Sequence, residues 1–362
     1  MNNKNLLHTH LGFLFILGIV LLLSQSSIAI ANGIFNWKPY REEDKFERTF
    51  SIQTPAKLEI SSGSGDVKIL AGEETKIRIN ARVRVWSSSR DDAKKFLNEI
   101  ISDPPVFQSD NKVIISRQRE WEWRRKSYSI DYEIWVPART EIDLSTGSGD
   151  QFIDGVTEQV RLRAGSGDIE AFNITNTLSI TTGSGDVKVE NIKGDIEIIT
   201  GSGDAKIENT IGNLKVKTGS GDIQGREVSG GYIRVFTGSG DVEFNYLSGE
   251  IELRSSSGDL RVSNALGNTY IRSTSGDIYL DGKLKDESKW KIRSTSGNVS
   301  ISLPSGSRFN LNIKTTSGSI DVDFPVTIKG RISRRNIEGS IGSSNSHLIC
   351  TTTSGNIRLR NL

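Results

Sequence analysis

Eight aspartates recur along this chain at near-constant spacing: Asp150, Asp168, Asp186, Asp204, Asp222, Asp241, Asp259 and Asp277. Each follows a glycine, and the step is 18 residues with one step of 19. Carboxylates at a fixed period could hold divalent cations or supply acid and base groups to a hydrolase. Calcium, however, wants six to eight oxygens, and one carboxylate per repeat falls short of that. A carboxylate at a turn also accepts backbone N–H groups. The spacing therefore predicts a structural turn column with at most weak divalent-ion binding, and no metal site is assigned. A carboxylate enzyme acting on acidic polysaccharide would need irregular loops that build a cleft. The connections between Gly149 and Ser275 are minimal, so the chain reads as a non-enzyme with no catalytic residue.

A second set is basic. Counting three residues before each corner serine gives Lys217, Phe236, Arg254, Arg272, Arg293 and Lys314, with Lys215, Arg234 and Lys291 two residues ahead of members of this column. Stacked at strand spacing, these predict a cationic stripe about 20–25 Å long. It is either a solvated face balanced by Glu197 and Glu252 or a contact for an anionic envelope polymer or lipid headgroup. The run Arg117–Lys126 is dense in Arg and Trp. Trp121 and Trp123 there suit a carbohydrate or membrane-surface contact, or an exposed strand with cation–π packing.

Other chemistries lack their residues. Of three histidines, His8 and His10 fall in the leader described below, leaving His347 as a surface residue with no triad or metal cluster to join. Gly-Ser-Gly-Asp leading into a strand matches neither a Walker loop nor a dinucleotide fingerprint, so no cofactor is expected. Cys350 is the only cysteine and cannot form an intramolecular disulfide; beside Leu348 and Ile349 it reads as a buried apolar residue. Lys and Arg total 46 against 44 Asp and Glu, which gives no case for a nucleic-acid partner.

The elements that must position these columns follow from the repeat. In GDVKVENIKGDIEIITGS, Val187 and Val189 alternate with Lys188 and Glu190, and Ile196 and Ile198 flank Glu197. Two period-2 runs per repeat mean two short strands, each with one face inward. A fixed period near 20 residues marks a solenoid. The fold class is all-β: a parallel β-solenoid (β-helix) with 18–21-residue coils. The glycine of each corner permits a sharp turn. Beyond Gly276 the spacing lengthens to 21, predicting corners at Gly297, Gly318 and Gly339, with Ser354-Gly355-Asn356 as a last echo.

Residues 1–31 read as a secretory signal peptide: a 13-residue apolar run, Leu11–Leu23, then a small-residue cleavage site at Ala29-Ile30-Ala31. The mature protein is expected to be exported, to the periplasm, cell surface or medium, and not integral to a membrane. Residues 32–145 should hold a first coil around Ser64-Gly65-Asp66 with a small α+β insertion, Val83 to Tyr132, capping the N-terminal end. Its helix spans Ser89 to Ile101, with Ala93, Phe96, Leu97 and Ile100 on one face and Asp103-Pro104-Pro105 ending it. Val113–Arg119 and Ser127–Val136 read as two strands of a hairpin. Residues 146–323 are the solenoid repeats, and 324–362 are expected to form C-terminal coils and a cap.

The run Tyr132-Glu133-Ile134-Trp135-Val136-Pro137, then Leu144-Ser145-Thr146-Gly147-Ser148-Gly149-Asp150, then repeated Ser-Gly-Asp-Val/Ile resembles the bacterial putative-adhesin family of repeated β-strands. The resemblance covers roughly Phe46 to Leu362. It implies a β-repeat fold in an envelope or exported protein and carries no catalytic motif. The reading is a structural, adhesin-like solenoid presenting flat ladders to an unidentified envelope polymer or protein. The alternatives are an envelope-stress scaffold acting by protein contact and, less favoured, a polysaccharide-active β-helix enzyme.

Overall fold

The computed structural model describes residues 39–116, 126–328 and 333–362. The expected leader at residues 1–31 and the pair Trp121 and Trp123 lie outside them. The described chain is all-β apart from one helix, and its strands join into a long, nearly closed solenoid-like sheet.

Each repeat contributes two strands, or legs, joined by the Gly-Ser-Gly-Asp corner. The legs before the corner pair in parallel, Val160 with Leu178, Leu178 with Ile196 and Ile196 with Leu214. The legs after it do the same, Ile169 with Val187, Val187 with Ala205 and Ala205 with Ile223. This in-register stacking keeps inward positions inward from coil to coil. Leu162, Ile180, Ile198, Val216, Val235, Leu253, Ile271 and Ile292 form one buried column. The single longer step is absorbed between Ser229 and Tyr232, where Gly230 and Gly231 shift the register.

The corner glycines are dictated by the close stacking. A Cβ on Gly203 would stand 1.9 Å from the carbonyl oxygen of Gly185, and one on Gly201 would stand 2.4 Å from that of Gly183. Backbone cannot retreat from a neighbour that is itself held in a ladder. Under the corner a buried threonine ties the turn together. Thr218 Oγ1 accepts from the Gly221 amide at 3.0 Å and reaches the Gly203 carbonyl of the preceding coil at 3.4 Å.

At the N-terminal end, helix α1 (Arg90–Ser102) begins at Ser89, whose side chain accepts from the Asp92 amide, and buries Ala93, Phe96, Leu97 and Ile100 as their spacing requires. The hairpin is not the expected one. Lys112–Ile115 turns back on Val106–Ser109, while Ser127–Val136 pairs antiparallel with Lys76–Ser87 and parallel with Val67–Ala71. The turn at Asp110, with φ of 52°, joins the two strands of the shorter pair.

The C-terminal order also differs from a simple succession of coils. His347–Ser354 lies between Lys289–Ser296 and Phe309–Ser317, parallel to both. Ile357–Asn361 is likewise flanked by Val299–Leu303 and Ile320–Val322. The last stretch of chain thus fills a slot between two coils that are neighbours in sequence. Gly339 is therefore no corner: it pairs antiparallel with Leu311 in a strand, Asn336–Ile341, that covers the end coil. The true corner between Gly297 and Gly318 is Gly355, whose Cβ would meet the Gly297 carbonyl oxygen at 2.0 Å.

Candidate functional site: an acidic corner ladder beside a basic stripe

The aspartates do stack, and each carboxylate is turned to the coil that follows it. Asp150 Oδ1 accepts the Asp168 amide at 3.0 Å, Asp168 that of Asp186 at 2.9 Å, and Asp186 that of Asp204 at 2.8 Å. The series continues through Asp204, Asp222, Asp241 and Asp259 to Asp277, every contact at 2.8 Å. It starts earlier than the eight repeats, with Asp131 Oδ1 accepting from the Asp66 amide at 3.2 Å and Asp66 accepting from Asp150 at 3.0 Å. It ends in neutral residues: Asp277 accepts from Asn298, Asn298 from Asn356, and Asn356 from Ser319. One oxygen of each carboxylate is thereby committed to the fold. Among the described residues no group of three or more His, Cys, Asp or Glu is placed to hold a metal ion. A shallow open groove of about 360 Å³ runs along Asp168, Asp186, Asp204 and Asp222, with Lys188 and Lys206 in its wall.

Tyr279 stands against this ladder, its hydroxyl donating to Asp277 Oδ2 at 3.3 Å. The Asp277 carboxylate, with partial burial, raises the phenol's pKa above the ordinary tyrosine value. Cys350 is fully buried, and burial pushes its thiol well above the usual range. It sits in the core column between Ile292 and Ile313. His347 is exposed.

The basic column is one line of outward residues. Lys217 pairs with Phe236, Phe236 with Arg254, Arg254 with Arg272 and Arg272 with Arg293. Thr351 then intervenes before Lys314, because the inserted C-terminal strand occupies that coil. Six strand steps make the stripe about 29 Å long at strand spacing, longer than the succession of repeats implied. Arg254 is held in place: it pairs with Glu252, and its guanidinium lies 5.4 Å from the Phe236 ring and 5.6 Å from that of Tyr270. Arg234 pairs with the same Glu252 at 3.5 Å, Lys215 pairs with Glu197, and Lys291 lies 5.9 Å from Tyr270. Lys217, Arg272, Arg293 and Lys314 are exposed and have no ion pair among the described residues.

The charge around this stripe is not balanced along the rod. Residues 139–250 carry ten Lys and Arg against eighteen Asp and Glu, a net of −8. Residues 251–362 carry sixteen against nine, a net of +7. A near-neutral total conceals this division, and counting by segment would have found it.

A second corner, inside each repeat, is built on asparagine. Asn173, Asn191, Asn209 and Asn264 all have left-handed φ, between 51° and 58°. The side-chain amide of Asn191 donates to Asn173 Oδ1 at 3.2 Å, and that of Asn209 to Asn191 Oδ1 at 3.4 Å. Asparagine tolerates this backbone region better than most residues. Glu227 and Tyr246 occupy the same place in the intervening coils, at φ of 55° and 64°. The signal was available as asparagine recurring at 18 residues.

The sequence model of the family described as Toastrack DUF4097 matches residues 55–225 and again 193–360. Among solved structures, that of a putative cell adhesion protein from Clostridium sporogenes ATCC 15579 is similar at 13% identity and a TM-score of 0.22, over 90% of this chain and 100% of its own. No curated protein matches the chain.

Proposed function

The chain belongs to the Toastrack DUF4097 family, and from that premise we propose that it is an exported, non-enzymatic, adhesin-like ladder protein that holds an anionic polymer of the cell envelope on its basic stripe. The observation that carries this reading is the exposed line of Lys217, Arg254, Arg272, Arg293 and Lys314 along one run of parallel strands, with Phe236 after the first and Thr351 before the last. Arg272 and Arg293 are direct neighbours in that line with no ion pair among the described residues. Like charges one strand apart repel by about 0.9 kcal/mol in water, and a bound polyanion relieves that repulsion. The sheet fixes the backbone positions of these cations before binding, so only their side chains are ordered when the polymer binds. The apolar leader at residues 1–31 supports export, and the flat ladder, without long loops, supports binding rather than catalysis.

The test is co-sedimentation or surface binding with purified anionic envelope polymer at low salt, using wild type and the triple variant Arg254→Glu, Arg272→Glu, Arg293→Glu. Binding that weakens steeply with salt and disappears in the variant is the expected result. Equal binding by a folded variant overturns the assignment.

A further inference from the structure

The corner changes character from the coil of Arg254 onward. In the coils up to Asp241, the residue two places after the stripe position is glycine: Gly201, Gly219 and Gly238 follow Ile199, Lys217 and Phe236. The strand ends before that glycine, and a side chain there would collide with the preceding coil, at 2.5 Å from Gly201 oxygen in the case of Gly219. From Arg254 onward the place is taken by Ser256, Thr274, Thr295, Thr353 and Thr316, and each strand runs on through it. Because strand residues two apart share a face, these hydroxyls stand beside Arg254, Arg272, Arg293, Thr351 and Lys314. All five are exposed, and none has a hydrogen-bond partner among the described residues. The same coils lie in the segment of net charge +7.

We infer that this double column recognises a linear acidic polysaccharide, with one sugar per coil along the rod. The inference rests on the polyanion reading above and narrows it. The cation column meets the carboxylates, and the Ser/Thr column exchanges hydrogen bonds with ring hydroxyls. A single hydroxyl both donates and accepts, so a sugar hydroxyl can use both capacities, whereas a carboxylate uses only the donor. Strand spacing sets one cation position and one hydroxyl position per coil, so the two rows repeat together along the rod. The N-terminal coils, at net −8, repel the same chain and confine it to the C-terminal half.

The experiment measures affinity for a polygalacturonate oligomer and for poly-L-glutamate carrying the same number of carboxylates. Wild type is expected to prefer polygalacturonate by about tenfold or more, since several hydroxyl contacts add to the ionic ones. The variant Ser256→Ala, Thr274→Ala, Thr295→Ala is expected to lose that preference while poly-L-glutamate binding stays within about twofold. Arg272→Glu with Arg293→Glu should weaken both. If wild type binds the two polymers equally, or the alanine variant loses both alike, the hydroxyl column has no such role and the polyanion reading survives. If wild type binds neither polymer nor the envelope polymer, both readings fall. The wild-type comparison decides the matter even if the alanine variant folds poorly.

Discussion

Asp186 Oδ1 accepts the backbone N–H of Asp204 at 2.8 Å, across the gap between two coils. The same residue type that shapes each corner thus also fastens it to the next, and the ladder needs the oxygen rather than the charge. Asn298 fills the same role toward the Asn356 amide at 3.0 Å.

Asp204→Asn should therefore leave stability within about 0.5 kcal/mol, because the amide oxygen accepts equally and a like-charge contact is removed. Asp204→Ala should cost about 1–2 kcal/mol, because the Asp222 amide loses its acceptor. Urea denaturation of the two variants checks this. Equal loss from both would mean that the charge itself matters.

Gly203→Ala should destabilise by about 3 kcal/mol or more, since its Cβ would stand 1.9 Å from Gly185 oxygen. Gly306→Ala is the control, with nothing within 4 Å of the added carbon, and should be neutral or slightly stabilising. Thermal melts of both variants give the comparison.

Glu227→Asn and Tyr246→Asn should each stabilise by roughly 1 kcal/mol. Both replace a residue strained at positive φ with the one used in equivalent coils. An unchanged melting temperature would show that these positions have already relaxed.

Tyr279 should titrate later than an ordinary tyrosine, because ionised Asp277 opposes a second negative charge. Its folded pKa lies above the unfolded value. The associated stability is complete below about pH 10 and is lost as pH rises through the folded value. The stability difference between wild type and Tyr279→Phe should shrink over that window, and Asp277→Asn should bring the phenol's titration back down.

What could be read in advance was local and periodic. Alternation around Val187 and Ile196 revealed the legs, and glycine before aspartate revealed the corners. Ser89, Asp91, Asp92 and Pro104 bounded the helix. Coil order at the C-terminus could not be read that way. Leu348, Cys350, Ile357 and Leu359 alternate as any coil does, and nothing local says that the first two enter between Lys289–Ser296 and Phe309–Ser317 and the last two between Val299–Leu303 and Ile320–Val322. Gly339 kept the 21-residue rhythm by coincidence of spacing, while its partner in space was a strand. The basic column was visible by counting, but Thr351 entered it only through that insertion. The hydroxyl column was visible as the loss of the first corner glycine; its meaning needed the strand to be seen running through Ser256 and Thr274.

The account depends on the stripe being one line of residues, one per coil, with the C-terminal strand inside it. Pairwise cysteine cross-linking tests this most directly, since neighbouring parallel strands bring Cα atoms within disulfide reach. Arg293→Cys with Thr351→Cys, and Thr351→Cys with Lys314→Cys, are predicted to form disulfides under mild oxidation, and Arg293→Cys with Lys314→Cys is not. Cross-linking of the last pair, with neither of the first two, would contradict the account.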